Sequence, residues 1–203
     1  MPRFAEGVAR FQKEAYPEKK SLFEKLSKGQ SPEALFITCS DSRIDTAMIT
    51  QSDPGDLFVC RNAGNIVPPH NAEQNGGMTA SIEYAVSVLK VPHIVVCGHS
   101  GCGAMQGVMH PETLNELPHV KAWIANAKPA YDALGNEAGQ SEEARLARLI
   151  EQNVIVQLEN IKAHPAVAAR LAEGGLTLHG WVYDIKTGEV LALNDSNNAF
   201  EPV

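Results

Sequence analysis

Apolar residues recur along this chain with two different periods, and the switches between them outline its elements. Phe4, Val8, Phe11 and Ala15, then Leu22 and Leu26 before a stop at Gly29, predict two N-terminal helices. Apolar runs at residues 34–38, 57–61, 93–98 and 176–183 predict strands, the first three continuous enough to be covered on both faces. The fourth is followed by a Lys186-Thr187-Gly188 turn and a run at 190–193, which reads as a hairpin. Between the strands, Met78, Ile82, Ala85, Val86 and Leu89 form one helical stripe, and Leu146, Leu149, Ile150, Val154, Leu158 and Ile161 form a longer one.

Strands alternating with helices predict an α/β fold. Its central sheet is mostly parallel, with four parallel strands plus an antiparallel edge strand, and helices flank it. No repeat or Pro/Gly/Ser-rich linker divides the chain, so residues 1–203 read as a single domain with residues 1–30 as a helical arm packing outside the core sheet. The stretch from Pro111 to Gly139 mixes Pro, His and Asn with short helical fragments and is expected to be irregular.

Composition narrows the class of partner. The 203 residues are 44% hydrophobic and carry a formal net charge of -7, with no visible basic face, which argues against nucleic acid and anionic membrane and for a small substrate. No apolar run approaches the length of a membrane span, and the start Met1-Pro2-Arg3-Phe4-Ala5-Glu6 lacks the order of a signal peptide, so a cytoplasmic location is expected. Four cysteines in a chain this long do not make a disulfide framework. Cys60 and Cys97 have no His or acidic neighbour at ligand spacing and read as small buried hydrophobes.

The other two cysteines carry chemistry. The strand-like run at 93–98 leads directly into His99 and Cys102, and the run at 34–38 ends on Cys39, followed by Asp41 and Arg43. In a parallel sheet these positions lie at carboxyl ends of strands, where ligands bind. Cys39, His99 and Cys102 make a three-ligand zinc set with an open fourth position, the pattern of a catalytic site. Gly98, Gly101 and Gly103 do not match the dinucleotide-binding spacing, and no Cys-x-x-Cys pair supports a redox site. Two thiolates give more charge to a metal than two imidazoles would, so bound water should be less acidic and activity should lean to alkaline pH. An Asp held by a bidentate Arg stays ionised and aimed, so Asp41 can accept a hydrogen bond from zinc-bound hydroxide. With that contact broken, Asp41 becomes a possible fourth ligand in a closed state. Main-chain amides at the helix start near Gly103 can face a small anion.

These residues carry a family likeness. Cys39-Ser40-Asp41-Ser42-Arg43 and Gly98-His99-Ser100-Gly101-Cys102-Gly103 resemble the signatures of the β-class carbonic anhydrases, and the similarity runs from about Phe4 to Asn194. Pro54-Gly55-Asp56-Leu57-Phe58-Val59, Arg61-Asn62-Ala63-Gly64-Asn65, Ser81-Ile82-Glu83-Tyr84-Ala85 and His179-Gly180-Trp181-Val182-Tyr183-Asp184 add to it. The resemblance implies a lyase, carbonate dehydratase, that reversibly hydrates carbon dioxide to bicarbonate and a proton. It implies one Zn2+ per chain on Cys39, His99 and Cys102, with Asp41 and Arg43 as the orienting dyad. Gln30 matches a side chain that reaches bound substrate from a neighbouring subunit. Phe58, Ala63 and Tyr84 match the apolar wall of the substrate pocket, and Gly103 falls beside it.

A homodimer or homotetramer is implied as well, with the N-terminal helices wrapping a partner subunit. Some members close the site at low pH and bind bicarbonate beside a Trp, an Arg and a Tyr. This chain has Arg61 and Tyr183 but Phe36 at the Trp position, losing the indole donor, so an open site is expected. Two alternatives remain: a zinc hydrolase of CS2 or COS on the same fold, and a catalytically silent zinc-stabilised binding protein. Among the histidines, His70 is the best candidate proton shuttle and His179 reads as structural.

Overall fold

A computed structural model describes residues 2–71, 76–135 and 139–203. They fall into two compact units, Met1–Ser31 and Pro32–Val203. The first holds α1 (Arg3–Arg10), α2 (Tyr16–Glu18) and α3 (Lys20–Leu26), with a π-helical turn at Phe11–Ala15. Phe11, Tyr16 and Phe23 gather there, Tyr16 and Phe23 stacking with ring centroids 5.2 Å apart. The predicted stripe is present but bare, since Phe4 and Val8 are exposed.

The second unit is built on a six-stranded sheet of β1 (Ala34–Cys39), β2 (Leu57–Asn62), β3 (His93–His99), β4 (Thr177–Tyr183), β5 (Val190–Asn194) and β6 (Ala199–Pro202). Their order is β2-β1-β3-β4-β5-β6; the first four run parallel and the last two pairings are antiparallel. The four parallel strands and the β4–β5 hairpin are as the hydrophobic pattern predicts. β5 is not the edge, however, because β6 pairs outside it with Asn194 opposite Ala199. Sequence periodicity misses β6 because it is four residues long, largely exposed and holds one large apolar side chain, Phe200.

All six residues of β1 are buried, and its alternation divides two cores. Leu35, Ile37 and Cys39 join the large one, while Phe36 joins Val95 and Cys97 in a small one against Trp181 and Tyr183. The helices of this unit are α4 (Thr46–Thr50), α5 (Gly77–Glu83, continued by a π turn), α6 (Gly103–Met109), α7 (Pro118–Ile124), α8 (Lys128–Asp132), α9 (Glu142–Lys162) and α10 (Pro165–Ala172). The stretch expected to be irregular is α7, α8 and two 3-10 turns, with residues 136–138 outside the described set.

Helix α9 starts where Ser141 accepts a hydrogen bond from the Ala144 amide, and Glu142 and Glu143 in its first turn suit the positive end of the helix dipole. It lies hard against the sheet because two strand positions lack side chains. A Cβ on Gly98 would sit 3.0 Å from Val154 and 3.1 Å from Ile150, and one on Gly180 would sit 2.8 Å from Leu158. Near its far end, His164 caps α10 and its Nε2–H donates to the Pro68 carbonyl at 3.1 Å, tying down the segment after β2.

Gly180→Ala is expected to destabilise the fold by about 1–3 kcal/mol, because the packed side chains of Leu158 and Val154 on α9 must give way to admit one methyl group; urea unfolding measures this. Burial holds the His164 pKa below the ordinary histidine value. Below about pH 6.5 the unfolded chain therefore takes up a proton that the folded chain refuses, and stability falls with falling pH until folded His164 is itself protonated. His164→Asn should flatten that part of the difference curve in unfolding experiments between about pH 5 and about pH 7.

Candidate metal centre

The order of the strands reverses between β1 and β3, since the chain leaves β1 for β2 on one side and returns to β3 on the other. A crevice forms at such a switch point, beyond the carboxyl ends of the two strands. Cys39 ends β1 and His99 ends β3. Each of these two strands is paired one step past its end, Ser40 N–H donating to the Asn62 carbonyl and Ser100 N–H to the Tyr183 carbonyl, both at 2.9 Å. The turn after His99 uses Gly101 at φ +64°, which brings Cys102 back as the N-cap of α6.

The result is a buried cluster in which Sγ of Cys39, a ring nitrogen of His99 and Sγ of Cys102 all lie within 4.8 Å of one another. His99 is fully buried; its Nδ1 faces the Ser100 carbonyl at 3.0 Å, so Nδ1 carries the proton. Its Nε2 is buried with no hydrogen-bond partner. A bare, basic nitrogen facing two sulfurs is a poor arrangement for a water-filled or apolar core and a good one for a soft or borderline cation.

The sulfurs show the same strain towards a cation. Cys39 accepts the Cys102 S–H and lies near His99 and the Gly64 amide, which together bring its pKa down to about 4 against the opposing effect of burial. The shared hydrogen bond and burial push the Cys102 thiol up. Cys60 and Cys97 differ: burial raises both, Cys97 to about 12, and all four cysteines are free. Their reading as packing residues agrees with this.

Beside the cluster Asp41 and Arg43 form the paired dyad that their spacing suggested. Oδ1 of Asp41 accepts from Arg43 N–H and Nε–H at 2.9 Å each, and Oδ2 accepts from Nη2–H at 2.7 Å. The guanidinium holds the carboxyl well below the usual range. Oδ1 is saturated; Oδ2 keeps one acceptor site and lies 3.9 Å from His99 Nε2. Arg43 is anchored in turn on the Gly101 carbonyl, 3.2 Å away. At Gly103 the space is open, with nothing within 4 Å of where a Cβ would point.

Other sequence candidates sit elsewhere. Phe58 and Tyr84 meet each other with centroids 6.0 Å apart. Asn62 is the residue of β2 in register with Cys39, so Phe58 lies four residues, about 13 Å, back along the strand from the cluster of its own chain. Gln30 is an exposed residue of the first unit. His70 stacks edge-on against His164, centroids 5.5 Å apart, in a cavity of about 320 Å³ shared with Glu83. His179 pairs with His93 through Nε2 and Nδ1 at 3.2 Å.

Arg61 and Gly64, known from the sequence only as motif members, make contacts at the centre that the motif does not show. Arg61 donates from Nε to the Cys39 carbonyl at 3.0 Å and from Nη2 to the Asp41 carbonyl at 2.7 Å, so it clamps the turn after β1. Gly64 N–H donates to Cys39 Sγ at 3.4 Å, and at φ +83° a Cβ there would meet Ala104 at 2.9 Å. A glycine followed by Asn65 was the available signal, but it marks a turn without saying which atom the turn approaches.

Comparison with known proteins bears on the same arrangement. The profile of the carbonic anhydrase family matches residues 34–190. A carbonic anhydrase of Pseudomonas aeruginosa is 50% identical over 195 residues, covering 96% of this chain and 88% of that protein. One from Synechococcus elongatus is 46% identical, covering 98% and 73%. Among solved structures, the β-carbonic anhydrase CcaA superposes with a TM-score of 0.95 at 43% identity, covering 99% of this chain and 91% of that one. One of two tetrameric β-carbonic anhydrases from Sordaria macrospora gives 0.84 at 35%, covering 96% and 98%. With its profile match spanning β1 and β3 and this chain covered almost end to end by its relatives, the chain belongs to the carbonic anhydrase family and has the β-class fold.

Proposed function

We propose that this protein catalyses the reversible hydration of carbon dioxide at a zinc ion held by Cys39, His99 and Cys102. The observation that carries the reading is the unpartnered, buried Nε2 of His99 within 4.8 Å of the sulfurs of Cys39 and Cys102. The donor set fits zinc, which favours tetrahedral sites of thiolate and imidazole ligands. Bound there, zinc would supply the Lewis acidity that makes water nucleophilic near neutral pH.

The chain's own residues then set the geometry. Asp41 uses its one remaining acceptor site, on Oδ2, to take a hydrogen bond from the attacking water and fix its orientation. Arg43 keeps that carboxylate ionised and turned away from ligation, which favours an open site. Arg61 has Nε and Nη2 committed to backbone carbonyls, and Phe36 packs edge-on against Trp181 at 5.9 Å with no polar atom to offer. Both support the expected open site rather than one closed beside bound bicarbonate. The open space at Gly103 accommodates the linear substrate. Attack on its carbon forms bicarbonate, and the proton from the water leaves to solvent or buffer.

Phe58 and Tyr84 complete an apolar pocket only in an assembly. Tyr84 is 44% exposed, as are Val59 at 40% on the open edge strand β2 and Val88 at 61%, so this face suits a second copy of the chain. We therefore place Phe58, Tyr84 and Gln30 as groups given to a neighbouring subunit, in a homodimer or homotetramer in which residues 1–30 act as an arm. Ala63 stays with its own chain's centre, next to Gly64. Four free cysteines suit a reducing, cytoplasmic setting.

Stopped-flow hydration of carbon dioxide by zinc-loaded protein tests this reading. The rate is expected to rise from about pH 6.5 to about pH 9, because two thiolates make the bound water less acidic. Asp41 is already ionised throughout that range and adds no inflection. Cys39→Ser should abolish the rate. A zinc-loaded protein inert at the alkaline end, or a pH-independent rate, contradicts it, and turnover of CS2 or COS instead would redirect the substrate.

A further inference from the structure

Helix α9 carries polar side chains on its buried face. Asn153 is 1% exposed and Gln157 fully buried, one turn apart among Ile150, Val154 and Leu158. Gln157 Nε2 donates to Asn153 Oδ1 at 2.8 Å, and Gln157 Oε1 accepts from the Val67 amide at 2.9 Å and from Asn160 Nδ2 at 3.2 Å. Asn160 also donates to the Val67 carbonyl at 2.9 Å. The network ends at Gly64, whose carbonyl accepts from Asn153 Nδ2 at 3.0 Å.

A second hydrogen bond grips the same segment from a different helix. Trp123, on α7, donates its indole Nε1–H to the Ala63 carbonyl at 2.9 Å. That carbonyl and the Gly64 N–H belong to one planar trans peptide, so they point in opposite directions and move together. The indole fixes one end of the plane, and the other end donates to Cys39 Sγ. Asn153 fixes the next peptide plane through the Gly64 carbonyl.

We propose that Trp123 and Asn153 are positioning residues for the metal thiolate, holding the Ala63–Gly64 peptide so that its N–H is aimed at Cys39. This rests on Cys39 being a metal ligand. A hydrogen bond to a ligating sulfur lowers the energy of its lone pairs and limits the charge it gives the metal, and outer partners of this kind tune a site strongly. The excursion between β3 and α9, opaque in sequence, thereby acquires a task at the site.

The test is Co(II) substitution of the wild type, Trp123→Phe, Asn153→Ala and the control Ile161→Ala, which removes a buried side chain near the other end of α9. The thiolate-to-Co(II) charge-transfer band is expected to move to lower energy in the first two variants and stay in place in the control. Zinc affinity, measured by chelator competition, should fall about 10-fold or more in the same two. Trp123→Phe keeps an aromatic ring and loses the N–H, so it decides alone if Asn153→Ala does not fold. A band at the wild-type energy in Trp123→Phe, or an equal shift in Ile161→Ala, overturns the proposal. A wild type with no thiolate band at all refutes the metal centre itself, and the positioning role with it.

Discussion

Two sulfur atoms and an imidazole nitrogen held together out of water are the constraint around which this fold is arranged. The nitrogen has no donor to accept from, and the two sulfurs are pushed in opposite directions by their shared hydrogen bond. Burying such a set is unfavourable unless a cation binds it, and metal binding then becomes part of what stabilises the folded chain. The architecture supplies the convergence: the strand order reverses between β1 and β3, and the free ends at that reversal carry Cys39 and His99. Cys102 joins them because a glycine with positive φ folds the chain back at the start of α6.

Charge is kept apart from this centre with some care. Asp41 lies 3.9 Å from His99 Nε2, close enough to compete for a cation, yet three hydrogen bonds from Arg43 hold it. Arg61 binds the two carbonyls on either side of Ser40, so the turn carrying Cys39 and Asp41 moves as one piece. The exposed side of the same unit, with β2 as open edge and Tyr84 and Val88 uncovered, is where a single chain is least complete.

The sequence made the sheet and the ligand set legible for a common reason: both are written in short, local patterns. Continuous apolar runs mark β1 and β3, and Cys39, His99 and Cys102 each follow or end such a run. β6 escaped because a four-residue edge strand buries too little to need a pattern. The contacts of Gly64, Asn153 and Trp123 escaped for a different reason, since they join residues 25 to 89 positions apart. Asn153 and Gln157 did leave a trace, as amides in the apolar phase of α9, but such amides can satisfy many partners. The placement of Phe58 away from the centre of its own chain is a property of strand register, which apolar spacing alone does not encode.

The central claim is a cation held by two thiolates and one imidazole with a fourth position left to solvent. X-ray absorption at the zinc edge of the metal-loaded protein tests it most directly. The account predicts two sulfur neighbours at about 2.3 Å, one imidazole nitrogen at about 2.0 Å and one further light atom at a water-like distance. A shell of four sulfur and nitrogen ligands, or one with fewer than two sulfurs, would contradict it.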